Sequence, residues 1–369
     1  MNILVTGANG FIGRNLCVHL KEAGFESIEV ITRDDNDEST EHKIKNADFI
    51  YHLAGINRPE NQEDFKTGNT DLTQKIVDTL INNGSSTPVL LTSSVQAELN
   101  NLYGVSKAGA ESSIASYREK TGSLTYIYRL PNVFGKWCRP NYNSAVATFC
   151  YNTINDLPIS IHNADAPLSL VYIDDVCHSF ISHLTNTSSV AEKYSQVEPV
   201  YKTTVGDVVR LLTNFKKSRT SLIISKVGIG FERALYSTYL SYFKPEQFTY
   251  DVLSYTDERG GFSEMLKTTD SGQFSFFTAY PGITRGGHYH HTKNEKFLVL
   301  KGKARFKFKH IVTGEEYEVN TSETVRTIVE TVPGWTHDIT NVGSEELIVM
   351  LWANEIFDRD KPDTTAMPL

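Results

Sequence analysis

The sequence predicts two domains of different class: an α/β domain built on a doubly wound parallel sheet over residues 1–243, then an all-β antiparallel barrel or jelly roll over residues 244–369. Three observations carry this. At 369 residues the chain exceeds one ordinary hydrophobic core. Its first part alternates short β-branched runs with helical patterns, the signature of parallel strands joined by crossover helices. After about Lys244 the rhythm becomes strand and turn.

In order, NILVTG reads as a strand, and the apolar spacing through Leu16 and Leu20 as a helix. SIEVIT and FIYHLAG follow as strands, then a helix around Gln74 to Ile81 and the strand PVLLTSS. Beyond Lys244, GQFSFFTAY, EKFLVLKGKARFKFKHIV, EEYEVN and ELIVMLW read as antiparallel strands. The join, GIGFERALYSTYLSYFKPEQ, has no linker composition; its aromatics read as interdomain packing, because Glu232, Arg233 and Lys244 interrupt any membrane-surface face.

Composition excludes several classes. With 40% hydrophobic and 22% charged residues and a formal charge of −8, the chain reads as a soluble globular protein, and the lack of a basic stripe argues against nucleic acid. No uncharged apolar run approaches membrane-spanning length, and NILVTG is a strand rather than a leader, so no membrane insertion and a cytoplasmic location are expected. Cys17, Cys138, Cys150 and Cys177 form no CxxC pair and are expected to be reduced thiols.

The stretch VTGANGFIGRNL places Gly7, Gly10 and Gly13 between the first strand and a helix, so that backbone amides can approach a pyrophosphate. A second strand ending in an acid would suit NADH, whereas this one ends ITRDD. Arg33 suits a 2′-phosphate, which favours NADPH, with Asp34 or Asp35 as the alternative ribose partner. Further on, YGVSK sets Tyr103 and Lys107 on one helical face, where an ammonium would favour the phenolate. Ser93 and Ser94 close the strand before it.

With HLAG at residues 52–55 and RLPNVFG at 129–135, these motifs resemble the extended short-chain dehydrogenase/reductase family, a Rossmann-like fold, over roughly the first 240 residues. The resemblance implies that Gly7, Gly10, Phe11, Ile12, Gly13, Leu53, Ala54 and Lys107 border the cofactor. Tyr103 would be the acid/base, Lys107 would hold the nicotinamide ribose, and Ser94 rather than Ser93 would complete the set. Asn132 would meet a nucleotide-sugar diphosphate. Two features depart from the family: the interval from Ser94 to Tyr103 is short, and HNADAPLSLVYIDDV carries Leu168 and Ser169 where an arginine is often found.

In GGHYHHTKNE, residues two apart on a strand share a face, so His288 and His290 converge while Tyr289 and His291 point away. Glu295 follows near a turn and His337 lies in PGWTH. Three histidines and a carboxylate suit Zn²⁺ and would accept other divalent metals. The spacing, from Gly282 through His288, His290 and Glu295 to Gly302, then Pro333, Gly334, His337 and Asn341, resembles the cupin superfamily.

DERGGFSEM and TRGGHYH further resemble the nucleotide-sugar 3,5-epimerase branch of the cupins. That resemblance implies Arg259, Phe262 and Glu264 as nucleotide-sugar contacts, Lys296 as an enolate stabiliser and His288 as base, which competes with its role as ligand. The tyrosine acid of that branch has no counterpart, since no tyrosine follows Tyr317. The whole chain, ending WANEIFDRDKPDT, resembles bifunctional enzymes of capsular polysaccharide synthesis. The implied reaction is C3 epimerisation of a UDP-2-acetamido-2,6-dideoxy-hexos-4-ulose in the cupin, with NADPH-dependent C4 reduction to UDP-2-acetamido-2,6-dideoxy-L-talose, a precursor of N-acetyl-L-fucosamine, in a homodimer. The alternatives are a single-function reductase with a non-catalytic metal-stabilised cupin, an Fe(II) oxidative cupin, and a nucleotide sensor.

Overall fold

Ile3–Thr6 (β1) and Phe49–His52 (β3) are buried along their whole length, as strands covered on both faces must be. With Ile28–Ile31 (β2), Val89–Ser94 (β4) and Thr125–Leu130 (β5) they form a five-stranded sheet in the order β2-β1-β3-β4-β5, parallel throughout. Alternate residues feed two cores. Ile3, Val5, Tyr51 and Leu90 join Leu16 and Phe180 on one face, while Leu4, Ile50, Val89 and Leu91 join Ile76 and Ile114 on the other. The helices Phe11–Glu22 (α1), Asp37–Lys45 (α2), Leu72–Asn82 (α3) and Leu102–Thr121 (α4) connect these strands. The doubly wound sheet expected from the sequence is present.

A three-stranded sheet extends this part of the chain: Asn132–Phe134 (β6), Pro167–Tyr172 (β7) and Tyr201–Thr204 (β8), with β6 and β7 parallel and β7 and β8 antiparallel. The helices Ala145–Ile154 (α5) and Ile173–Thr185 (α6) lie between these strands in sequence. The next elements are Val205–Ser221 (α7), the short strand Ile223–Ile224 (β9) and Gly230–Leu240 (α8).

The remaining strands are Ser254–Asp257 (β10), Gly260–Thr268 (β11), Gly272–Ala279 (β12), Thr284–Tyr289 (β13), Glu295–Lys301 (β14), Lys303–His310 (β15), Glu316–Ser322 (β16), Ile328–Glu330 (β17), Trp335–Asn341 (β18), Leu347–Ala353 (β19) and Thr365–Ala366 (β20). One sheet runs β10-β11-β12-β19-β14-β17 and the other β16-β15-β18-β13-β20, antiparallel in their pairings, with β9 added in parallel to β11. Phe277, Phe297 and Val349 from the first sheet and Phe306, Phe308 and Ile339 from the second share one core. This is the two-sheet packing of a jelly roll.

This computed structural model describes all residues except 186–192, 249, 292, 312, 326, 333 and 361. Pro333 of the second spacing therefore lies outside the described residues. The fold divides into two units, Met1–Leu212 with Arg233–Phe243, and Thr213–Glu232 with Lys244–Leu369. The four cysteines are free. Among the described residues no helix is long and apolar enough to cross a membrane.

Candidate active sites

Gly7 is a tight-turn residue at φ +71°, and a Cβ there would come within 2.7 Å of the Ala54 amide nitrogen. A Cβ on Gly13 would lie 2.3 Å from the Gly7 carbonyl oxygen. Only glycine lets β1, the turn and α1 approach this closely. α1 has no side-chain cap and no acidic residue in its first turn, so its free amides and dipole are available to an anion. Gly7, Gly10, Phe11, Ile12, Gly13 and Leu53 line one part of a cavity of about 1170 Å³. The cradle fits a dinucleotide pyrophosphate.

The same cavity is lined by Ser94, Tyr103, Lys107, Asn132, Leu168 and Ser169. Lys107 is buried, and its ammonium donates to the Thr92 carbonyl at 3.0 Å. Burial lowers its pKa to about 8, against the opposing charge of Glu111. Burial pushes the Tyr103 phenol up, and a hydrogen bond with Ser94 offsets part of that rise.

The two serines have different partners. Ser93 is buried and donates to Glu111 Oε1 at 2.5 Å. Glu111 in turn accepts from Arg129 Nε and an Arg129 terminal nitrogen at 2.9 and 2.7 Å. That serine belongs to a structural network. Ser94 accepts a long contact from the Gln96 amide at 3.2 Å and shares a hydrogen bond with Tyr103.

Arg33 is exposed in the loop after β2. Asp35, one alternative ribose partner, is already committed: it accepts from the Thr32 amide at 2.8 Å and the Ser39 hydroxyl at 2.9 Å, and pairs with Lys43. Ser169, at one of the positions without the family's arginine, accepts instead from Lys202 on the adjacent strand at 2.8 Å. His52 of HLAG is a structural residue, buried and bonded to the Thr6 and Thr73 hydroxyls at 2.8 and 2.9 Å.

In the C-terminal unit, His288, His290, Glu295 and His337 bring one donor atom each to within 4.8 Å of one another. β13 and β18 pair with His288 opposite His337, and β14 begins at Glu295. His290 is 1% exposed, Glu295 and His337 are buried, and His288 is the accessible member. His290 Nδ1 lies 2.5 Å from the Asp363 carbonyl oxygen. A carbonyl only accepts, so Nδ1 carries the proton, and Nε2 faces Glu295 Oε2 at 3.2 Å with His337 Nε2 at 3.5 Å from the same oxygen. Lone pairs converging on a carboxylate require positive charge between them, and His₃Glu is a donor set that suits a divalent metal.

Burial opposes ionisation of Glu295, yet the contacts with His290 and His337 and the nearby Lys293 ammonium outweigh it and hold the carboxyl well below its ordinary range. Burial, followed by its two histidine neighbours, lowers His288 to about 4, so it is neutral at pH 7.

Lys296 does not enter this site. Alternation along β14 turns Glu295 inward and Lys296 outward, where it is half exposed and paired with Glu330. The amine at the cluster is Lys293, which sequence reasoning passed over: it is 8% exposed, 3.1 Å from Glu295 Oε1, and lies over the Phe357 ring. His291 is exposed, as alternation predicts. Arg259 sits in the turn between β10 and β11 and chelates Asp257. Phe262 packs on the core, and Glu264 pairs with Lys267 at 2.8 Å. Arg285, also missed, lies over the Phe277 ring at 5.3 Å. Its guanidinium is made less basic by burial and by the like charge of Arg259.

Fold and sites together define a class. The chain belongs to the NAD dependent epimerase/dehydratase family, whose model matches residues 3–197, and it carries a polysaccharide biosynthesis C-terminal domain at residues 255–365. UDP-2-acetamido-2,6-beta-L-arabino-hexul-4-ose reductase of Pseudomonas aeruginosa is 56% identical over 366 residues, 99% of this chain and 98% of that protein. The crystal structure of the capsular polysaccharide assembling protein CapF from Staphylococcus aureus is 41% identical and covers all of both chains at a TM-score of 0.92. UDP-glucuronic acid 4-epimerase from Bacillus cereus, 20% identical over 58% of this chain and 83% of that one, shares the fold alone at a TM-score of 0.51.

Proposed function

We propose that the chain is a bifunctional nucleotide-sugar enzyme of polysaccharide synthesis. Its C-terminal site epimerises C3 of a UDP-2-acetamido-2,6-dideoxy-hexos-4-ulose, and its N-terminal site reduces the C4 ketone with NADPH. The observation that carries the proposal is the presence in one chain of two separately built sites, the Ser94–Tyr103–Lys107 set and the His₃Glu cluster. The relative named as a UDP-hexul-4-ose reductase, matched over nearly its whole length, supports a UDP-sugar substrate.

A ketone at C4 acidifies the hydrogen at C3. A base takes that proton to give an enolate, and reprotonation on the other face inverts the centre. His288, neutral and accessible, is the member of the cluster that meets the sugar, as base or as ligand. A divalent metal there would supply Lewis acidity. Arg259 and Arg285, mutually repelling and both close to Asp257, offer positive charge to a diphosphate.

Epimerisation alone reaches only an equilibrium mixture. Bound NADPH would supply a hydride to C4; the protonated Tyr103 donates to the oxygen, with Ser94 holding that oxygen in place. Reduction removes the acidifying ketone and fixes the C3 configuration. Arg33 is the residue that distinguishes the 2′-phosphate. Product analysis by NMR, with and without NADPH, tests the scheme: without NADPH only C3 should change, and with it the alcohol should accumulate.

A second reading has its own support. Four protein donors can fill a tetrahedral metal site and leave no open position, which would make the C-terminal unit a structural module beside a single-function reductase. Lack of C3 exchange would select it.

A further inference from the structure

The end of the chain is fastened to the histidine cluster. Thr365–Ala366 (β20) pairs with β13, setting Ala366 opposite His288 and Thr365 opposite Tyr289. The Met367 amide donates to the Gly287 carbonyl at 2.8 Å, and the Thr336 hydroxyl, next to His337, donates to the Met367 carbonyl at 2.5 Å. Asp363 makes the densest contacts. Its carboxylate accepts the His291 and Lys293 amides, both at 2.9 Å, and its carbonyl accepts from His290 Nδ1 at 2.5 Å. The Thr364 hydroxyl lies 3.4 Å from the same nitrogen.

We propose that Asp363 is a positioning residue for the C-terminal metal centre, and that residues 363–367 form a clamp on it. The inference rests on reading the cluster as a metal centre. Asp363 acts twice. Its carbonyl fixes the His290 tautomer with the Nε2 lone pair toward Glu295, and its carboxylate holds the His291 and Lys293 amides, which lie between His290 and Glu295 in sequence. Partners of this kind orient metal-binding imidazoles, and losing one costs about 10–100-fold in metal affinity.

The test uses full-length Asp363→Ala and Asp363→Asn and a chain ending at Pro362, with zinc affinity measured by chelator competition, the Co²⁺ absorption spectrum, and NADPH affinity as a control on folding. Asp363→Ala should bind zinc about 10–100-fold more weakly, with an altered Co²⁺ spectrum and unchanged NADPH affinity. Asp363→Asn keeps one acceptor oxygen and should recover part of the loss. The shortened chain, which also lacks the carbonyl, should be weakest; if it does not fold, the point variants decide. Wild-type zinc affinity and an unaltered Co²⁺ spectrum in Asp363→Ala would overturn the clamp. A wild-type protein that binds neither zinc nor Co²⁺ would remove the metal reading itself and the clamp with it.

Discussion

The Lys107 ammonium donates to the Thr92 carbonyl at 3.0 Å, so a helix lysine is held against the end of β4, buried, beside the cavity that the glycine turn opens. Its burial sets a pH limit. A lysine with a pKa near 8 loses its charge as pH rises through 8, well before Tyr103, whose phenol burial has moved up from its ordinary value. The basic limb of kcat/KM for NADPH should therefore fall with a midpoint near 8, and a profile flat to pH 10 would contradict this role for Lys107.

Tyr103→Phe removes the proton donor and keeps the ring. NADPH oxidation with the 4-keto sugar should fall by about 10²–10⁴-fold, while exchange at C3 continues. Retained reductase activity would take Tyr103 out of its assigned role.

Arg33→Ala should weaken NADPH about tenfold, the equivalent of ~1.4 kcal/mol, and leave NADH little changed. Asp35 is already bonded to Thr32, Ser39 and Lys43. Equal losses for the two cofactors, measured by fluorescence titration, would assign the 2′-phosphate elsewhere.

His290→Ala and His337→Ala each remove a buried donor. Both should lose bound metal and lower the thermal stability of the C-terminal unit, by about 2.7 kcal/mol where the metal stands at a hundredfold over its Kd. NADPH binding should persist. Unchanged metal content in both variants would refute the ligand assignment.

The sequence carried much of this because local rules held. Glycines that only glycine can occupy, strands buried on both faces and paired histidines two apart each reflect spacing within one element or turn. Lys296 could have been excluded on the same terms, since Glu295 turns inward and its neighbour must turn out. What was not legible depends on distant partners. Ser93 and Ser94 are indistinguishable until Glu111 and Arg129 claim the first, and Asp363 meets His290 from 73 residues away. Lys293 gave no signal of its own, because lysines in turns are ordinarily solvated.

The central claim is that one chain performs both chemistries at separate sites. The most direct test is to incubate full-length Tyr103→Phe protein, metal-loaded and without NADPH, with a UDP-4-keto-6-deoxy-HexNAc in D₂O and follow the C3 position by NMR. Deuterium entering C3, and failing to enter with the His290→Ala change added, is the predicted result. A folded, metal-loaded protein that binds the sugar and leaves C3 unlabelled would contradict the account and leave a reductase with a structural cupin.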